Sequence, residues 1–173
     1  MFRLLLITLF LTGCASLEPI RTAEQVDLNK FSGDWFVIAA IPTIIETNAY
    51  NAVETYEPPR DGKIATTFRF NEGGFDGEEK VYNPTGFLTD NNAVWGMQFV
   101  WPIKAEYRIV YISDDYSTTI IGRRKRDYVW IMARSPSLPP EQYDALLKIV
   151  REEGYDLSKL REVPHEQTNQ IIN

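Results

Sequence analysis

The chain is short of several things at once. Among its 173 residues there is one cysteine and one histidine. A single cysteine forms no internal disulfide, which fits a reducing compartment or an exported protein that is stable without bridges. The one histidine, His165, lies in a polar C-terminal stretch, so a Ser–His or Cys–His catalytic pair has no base. A His/Cys metal site is excluded by count, the carboxylates show no ligand spacing, and no cofactor is expected. Basic residues are outnumbered, 18 Lys and Arg against 24 Asp and Glu, and a net charge of -6 argues against nucleic acid as a partner. Long apolar runs are missing too. The N-terminal one, Leu4 to Leu11, is far shorter than the ~20 residues that span a bilayer as a helix.

What is present is a rich supply of core. The chain is 44% hydrophobic and 13% aromatic, enough for one domain with a sizeable interior. No helical period appears before residue 139. Short β-rich segments alternate instead with turn signals, and eight strands are expected at about 34–41, 49–57, 63–70, 78–88, 93–100, 105–112, 116–122 and 127–134. Asn83-Pro84 marks a bulge or edge irregularity in the fourth. One helix follows: prolines at 139 and 140 suit a first turn, Tyr143, Leu146, Leu147 and Val150 form an apolar face, and Gly154 ends it. Residues 161–163 read as a short further strand. The fold class is therefore all-β, an eight-stranded antiparallel up-and-down barrel with one C-terminal helix packed outside; a flattened sandwich is the alternative.

The N-terminus reads as a targeting segment. Met1-Phe2-Arg3 is a short basic start, and the apolar run ends in Leu11-Thr12-Gly13-Cys14. This resembles a bacterial lipoprotein signal peptide with its lipobox. The resemblance implies removal of residues 1–13, acylation of Cys14, and a membrane anchor whose buried methylenes contribute ~0.8 kcal/mol each. The plain alternative is an ordinary secretory signal with a stray cysteine. Ala15 after the cysteine, rather than Asp, implies the outer membrane, with the body facing the periplasm. Residues 14–23 then read as a lipid-anchored tether, and 24–173 as the folded domain.

Gly33-Asp34-Trp35 opens the first strand: a glycine that lets the chain turn, then a large ring at one end of the sheet. Taken with the hairpin order and the late helix, this start resembles the lipocalin family, and in particular its bacterial and apolipoprotein D-like branch. Ile41-Pro42-Thr43, Tyr128 to Arg134, Leu138-Pro139-Pro140-Glu141 and Gly154-Tyr155-Asp156-Leu157-Ser158-Lys159 carry the likeness. The resemblance implies that Arg134 lies over Trp35 and that, with Gly33, the pair closes one end of the barrel. One motif departs from the family. In the turn before the seventh strand, Ser113 stands where an Asp is usual, within Ile112-Ser113-Asp114-Asp115-Tyr116.

Strand alternation then sorts lumen from exterior. The expected inward positions are Trp35, Val37 and Ala39; Glu54 and Tyr56; Ile64, Thr66, Phe68 and Phe70; Trp95, Met97 and Phe99; Tyr107, Ile109 and Tyr111; and Tyr128, Trp130, Met132 and Arg134. The expected ligand contacts are Tyr56, Thr66, Phe68, Met97, Phe99, Tyr107, Ile109, Tyr111, Trp130, Met132 and Glu54. The rings either leave room for a ligand or fill the core themselves. A lone buried carboxylate at Glu54 is costly, so it needs a cationic or hydroxyl partner, or the register of the second strand is off by one. Hairpin counting places Lys104, Arg123, Arg124, Lys125 and Arg126 on the open mouth, either as a solvated turn or as a basic rim for anionic lipid headgroups.

The function expected is a membrane-anchored, non-enzymatic binder, monomer or homodimer, that stores or ferries fatty acids or lysophospholipids in envelope maintenance. The alternatives are an envelope interaction protein with a filled barrel and, further off, a lumen-based isomerase.

Overall fold

The computed structural model describes residues 19–166. The expected signal peptide and Cys14 lie outside the described residues.

A short helix α1 (Leu28–Phe31) precedes strands β1 (Gly33–Ile41), β2 (Ala49–Tyr56), β3 (Lys63–Glu72), β4 (Glu79–Tyr82), β5 (Thr85–Leu88), β6 (Val94–Val100), β7 (Ile103–Ile112), β8 (Thr118–Gly122) and β9 (Val129–Ala133). Helix α2 (Pro140–Glu152) and the two-residue strand β10 (Arg161–Glu162) follow. Each strand pairs antiparallel with its neighbour, and β9 returns to pair with β1, closing the wall. β4 and β5 both pair with β3 and form one stave broken at Asn83-Pro84. Eight staves therefore close an up-and-down barrel, with α2 outside. Closure leaves the barrel wall without the open edges of a sandwich.

Two cores result. One fills the lumen and includes Trp35, Tyr56, Phe68, Trp95, Tyr107, Trp130 and Met132. The other lies between the wall and α2, where Leu146 and Val150 pack on Ala39, Val110, Ile120, Val129 and Ile131. Burying two such aliphatic side chains is worth about 1.5–3 kcal/mol each. Gly154, at φ +80°, ends α2 as a C-terminal glycine, a conformation other residues adopt only with strain.

Strict alternation fails at two places, each a register shift. Between Val37 and Ala39 the pairing of β1 with β9 slips, so Ala39 turns to the α2 side and Ala40 takes the inward place. Between Ile109 and Tyr111 the pairing of β7 with β8 slips in the same way. Tyr111, expected in the lumen, therefore packs against the α2 core, and Ile112 packs inward. A bulge inserts one residue, and one residue exchanges the two faces of a strand.

Of the segment expected as a tether, Ile20 to Ala23 are fastened to the barrel. Ile20 is buried beside α2, Arg21 pairs with Glu152 and Glu153, and Ala23 donates its backbone N–H to the Ile109 carbonyl at 2.9 Å.

Candidate functional site

The barrel has a solid end and a hollow end. At the solid end Asp27 caps α1 by accepting from the Asn29 and Lys30 amides, which sets Phe31 beneath the barrel. Phe31 meets Trp35, Tyr56 and Trp95 at ring-centre distances of 5.1, 5.0 and 5.7 Å. The Trp35 indole N–H donates to the Phe31 carbonyl at 2.8 Å. Arg134 covers the plug. Its guanidinium carbon is 3.8 Å from the Trp35 ring centre, and its N–H groups donate to the carbonyls of Lys30, Phe31, Ser32 and Asp34 at 2.7–3.0 Å. A cation over an indole that also ends four carbonyls is a structural clasp, because its donors are turned to the backbone around the plug. Gly33 at φ +96° lets the chain turn into β1 beneath it. In the neighbouring turn, Ser113 fills the place of the usual Asp. Its hydroxyl oxygen accepts from the amides of Ser117 and Thr118, each at 3.0 Å.

Above the plug, Trp95 stacks on Tyr107 at 5.0 Å, and the hydroxyls of Tyr56 and Tyr107 share a hydrogen bond. Tyr56, Thr66, Phe68, Ile109 and Met132 all face the lumen and are buried. They fill it, and none of them lines the mouth cavity.

The hollow end begins beyond Tyr107. A cavity of about 240 Å³ lies against Met97, Phe99, Tyr107, Tyr128 and Trp130, with Ile44 and Ile45 from the 42–48 loop and Ala105 from β7. Among the expected contacts, Glu54, Met97, Phe99, Tyr107 and Trp130 therefore meet the cavity. The 42–48 loop was not legible by alternation, since a loop has no period. Its one signal was apolar Ile44-Ile45 between two turns.

The polar groups of the cavity are mainly acidic. Glu54 is 1% exposed and its Oε2 has no partner; the Thr66 hydroxyl, on the neighbouring strand β3, donates to the Pro84 carbonyl at 3.0 Å. Glu54 and Tyr56 are each 1% exposed, so the register of β2 stands. Burial, reinforced by the charge of Glu46, pushes the Glu54 carboxyl up to about 8, although the nearby Thr66 hydroxyl opposes the rise. Glu46, missed in the sequence, accepts at Oε1 from the Thr43 amide at 2.9 Å and from the Trp130 indole at 3.3 Å. Burial raises its pKa as well, against those two hydrogen bonds. Burial likewise holds the phenols of Tyr56, Tyr107 and Tyr128 well above their usual range, so all three stay neutral donors.

The mouth differs from the expected basic rim. Arg123 lines the cavity but pairs with Asp127. Arg124 pairs with Glu106 at 2.9 Å. Arg126 turns outward and donates to the Glu153 carbonyl at the end of α2. Lys104 belongs to β7, and its ammonium sits 3.5 Å over the Phe87 ring. Lys125 is exposed. Most of this charge is spent on neighbours that the sequence does not place beside it. Apolar side chains stand out at the mouth instead: Ile44 is 95% exposed and Trp101 83%, with Phe99, Val100 and Ile103 beside Trp101 in the chain. A wider and more polar depression, about 780 Å³, lies on the outer wall near Phe36, Asn51, Arg69 and His165. Among the described residues no group of His, Cys, Asp and Glu could hold a metal ion, and no helix is long and apolar enough to cross a membrane.

Comparison with known proteins agrees with this geometry. Residues 26–165 match the model of the lipocalin-like domain. Temperature-induced lipocalin-1 of Arabidopsis thaliana is 28% identical over 87% of this chain and 86% of its own length. The outer membrane lipoprotein Blc of Escherichia coli K12 is 26% identical over 85% of each chain. Bovine apolipoprotein D is 29% identical over 79% of this chain and 76% of its own. Among solved structures, insecticyanin from the tobacco hornworm Manduca sexta superposes with a TM-score of 0.64 at 16% identity, over 89% and 87% of the two chains. With its Trp35–Arg134 clasp, closed eight-stave wall and outer helix, this chain belongs to the lipocalin family of hydrophobic-ligand-binding proteins, and its relatives include the bacterial Blc lipoproteins and apolipoprotein D.

Proposed function

We propose that this protein is an acyl-anchored lipid carrier of a bacterial outer membrane, held through Cys14 with its barrel facing the periplasm. It takes the apolar part of fatty acids or lysophospholipids during envelope maintenance. The observation that carries this reading is the apolar-walled cavity at the mouth, about 240 Å³, just below the ~300–1,000 Å³ of ordinary ligand pockets. A chain end enters between Met97, Tyr107 and Trp130, and the rest lies along Phe99 and Ile44. At ~25 cal/mol per Å² of apolar area, burial of a few hundred Å² supports micromolar affinity after the association cost. The anionic headgroup stays outside, within reach of Lys125. The exposed Ile44, Val100 and Trp101 suit a bilayer surface, where a large amphipathic ring is favourable. The Blc relatives, named as outer membrane lipoproteins, support the location. Binding needs no chemistry at the site, which accords with a carrier and not an enzyme.

The filled lower half favours one rival, an envelope protein that uses its outer face. Native mass spectrometry of the protein released from its membranes, with lipid extraction, separates the two. A bound lipid in one-to-one stoichiometry is the expected result, whereas a ligand-free barrel under all gentle conditions contradicts the carrier.

A further inference from the structure

Resting on the reading of the mouth cavity as a ligand site, one feature of its wall specifies a second ligand class and an orientation. Glu54 is fully buried and lines the cavity, yet its Oε2 has no hydrogen-bond partner. A buried acceptor left open costs about 1–3 kcal/mol, and native interiors retain few such groups. The surroundings show what would complete it. Glu46 and Glu106 line the same cavity, against one cation, Arg123, which Asp127 already holds. Glu106 in turn is bonded by Arg108 and Arg124. The phenols of Tyr56 and Tyr107 are bonded to each other just beneath. The cavity thus offers acidic groups and neutral phenols, and its one cation is already paired. An incoming carboxylate finds no unpaired cation there and stays at the mouth, while an amine meets a carboxyl with an unpartnered oxygen.

We propose that the cavity accepts an apolar primary amine head first: the neutral amine takes the Glu54 proton, and the ammonium so formed is held by the Glu54 carboxylate, with the Glu46 carboxyl nearby. A fatty acid enters the same cavity in the opposite sense, tail first. Glu54 is then a selectivity residue for amines and a bystander for acids.

The test is displacement of the neutral probe N-phenyl-1-naphthylamine by decylamine, decanol and decanoate, on the wild type and on Glu54→Gln. Loss of a charge-assisted hydrogen bond corresponds to about tenfold or more in affinity. Decylamine should weaken by about that factor in Glu54→Gln, while decanoate and the probe change less than about threefold. Infrared difference spectra give a second readout on the wild type. Decylamine should remove the protonated-carboxyl band that Glu54→Gln lacks, and decanol should leave it. Equal weakening of decylamine and decanol, no weakening of decylamine, or a carboxyl band unaffected by the amine would each overturn the proposal. Displacement by all three ligands without an effect of Glu54→Gln overturns this inference alone. If neither the probe nor any of the three ligands binds the wild type, the carrier reading itself fails.

Discussion

The two ends of this barrel are built from the same residue types and do opposite things. At the closed end, Phe31, Trp35, Tyr56 and Trp95 touch edge to face or tilted and leave no space, and Arg134 ends the carbonyls around them. At the mouth, Trp130, Tyr128, Tyr107 and Phe99 surround a cavity, and Trp101 stands almost bare. Aromatic content alone therefore does not distinguish a core from a pocket. The difference comes from what covers the rings. A capped helix turn and an arginine seal one end, whereas the 42–48 loop and the β3–β4, β6–β7 and β8–β9 connections surround the other.

The largest expected effect comes from breaking the sealed end. Trp35→Ala should cost about 3–5 kcal/mol in urea unfolding, the usual loss for a large buried ring. Phe99→Ala at the mouth should cost less than ~1 kcal/mol, because that ring is already 41% exposed. Equal costs at the two ends would erase the distinction.

Glu54 sharpens the comparison next, through pH. Its carboxyl titrates at an ordinary 4.5 in the unfolded chain and at about 8 when folded. Between those values the folded state keeps a proton that the unfolded state has released. Stability therefore falls as pH rises from about 4.5 to about 8 and levels off above, by a few kcal/mol for a group so buried. Glu54→Gln should flatten this part of the profile and raise stability at pH 8, measured by denaturant midpoints across the window. Glu46, its acidic neighbour, leaves a smaller slope of the same sign. An unchanged profile in Glu54→Gln would place the carboxyl in contact with water.

Filling the hollow end is the third test. Ala105→Trp should lower affinity for an apolar probe about tenfold, while stability changes by less than ~1 kcal/mol because the ring enters free space. The smallest effects belong to the basic turn. Arg126→Ser should cost about 1 kcal/mol through the lost bond to the Glu153 carbonyl, and Lys125→Ser less than ~0.5 kcal/mol.

The sequence made much of this molecule legible, for physical reasons. Gly33 and Trp35, the hairpin turns, the Asn83-Pro84 break and the apolar face of α2 are local signals, and each maps onto the structure. The alternation of β3 and β9 is regular, so Phe68, Trp130 and Met132 were placed correctly. Tyr111 was not, because a bulge depends on a partner strand that is remote in sequence. The pairing of Arg124 with Glu106 and of Arg126 with Glu153 is equally non-local, so a run of four cations looked freer than it is. Glu46 escaped notice because it sits on a loop, and only the fold carries that loop over the mouth.

The central claim is that a ligand occupies the hollow end and nowhere else. Crystals soaked with 1-bromodecane and measured for anomalous scattering test this directly. The account predicts a bromine peak between Met97, Tyr107 and Trp130, absent in Ala105→Trp. A peak only in the outer depression by Phe36 and His165, or one that persists unchanged in Ala105→Trp, would contradict it.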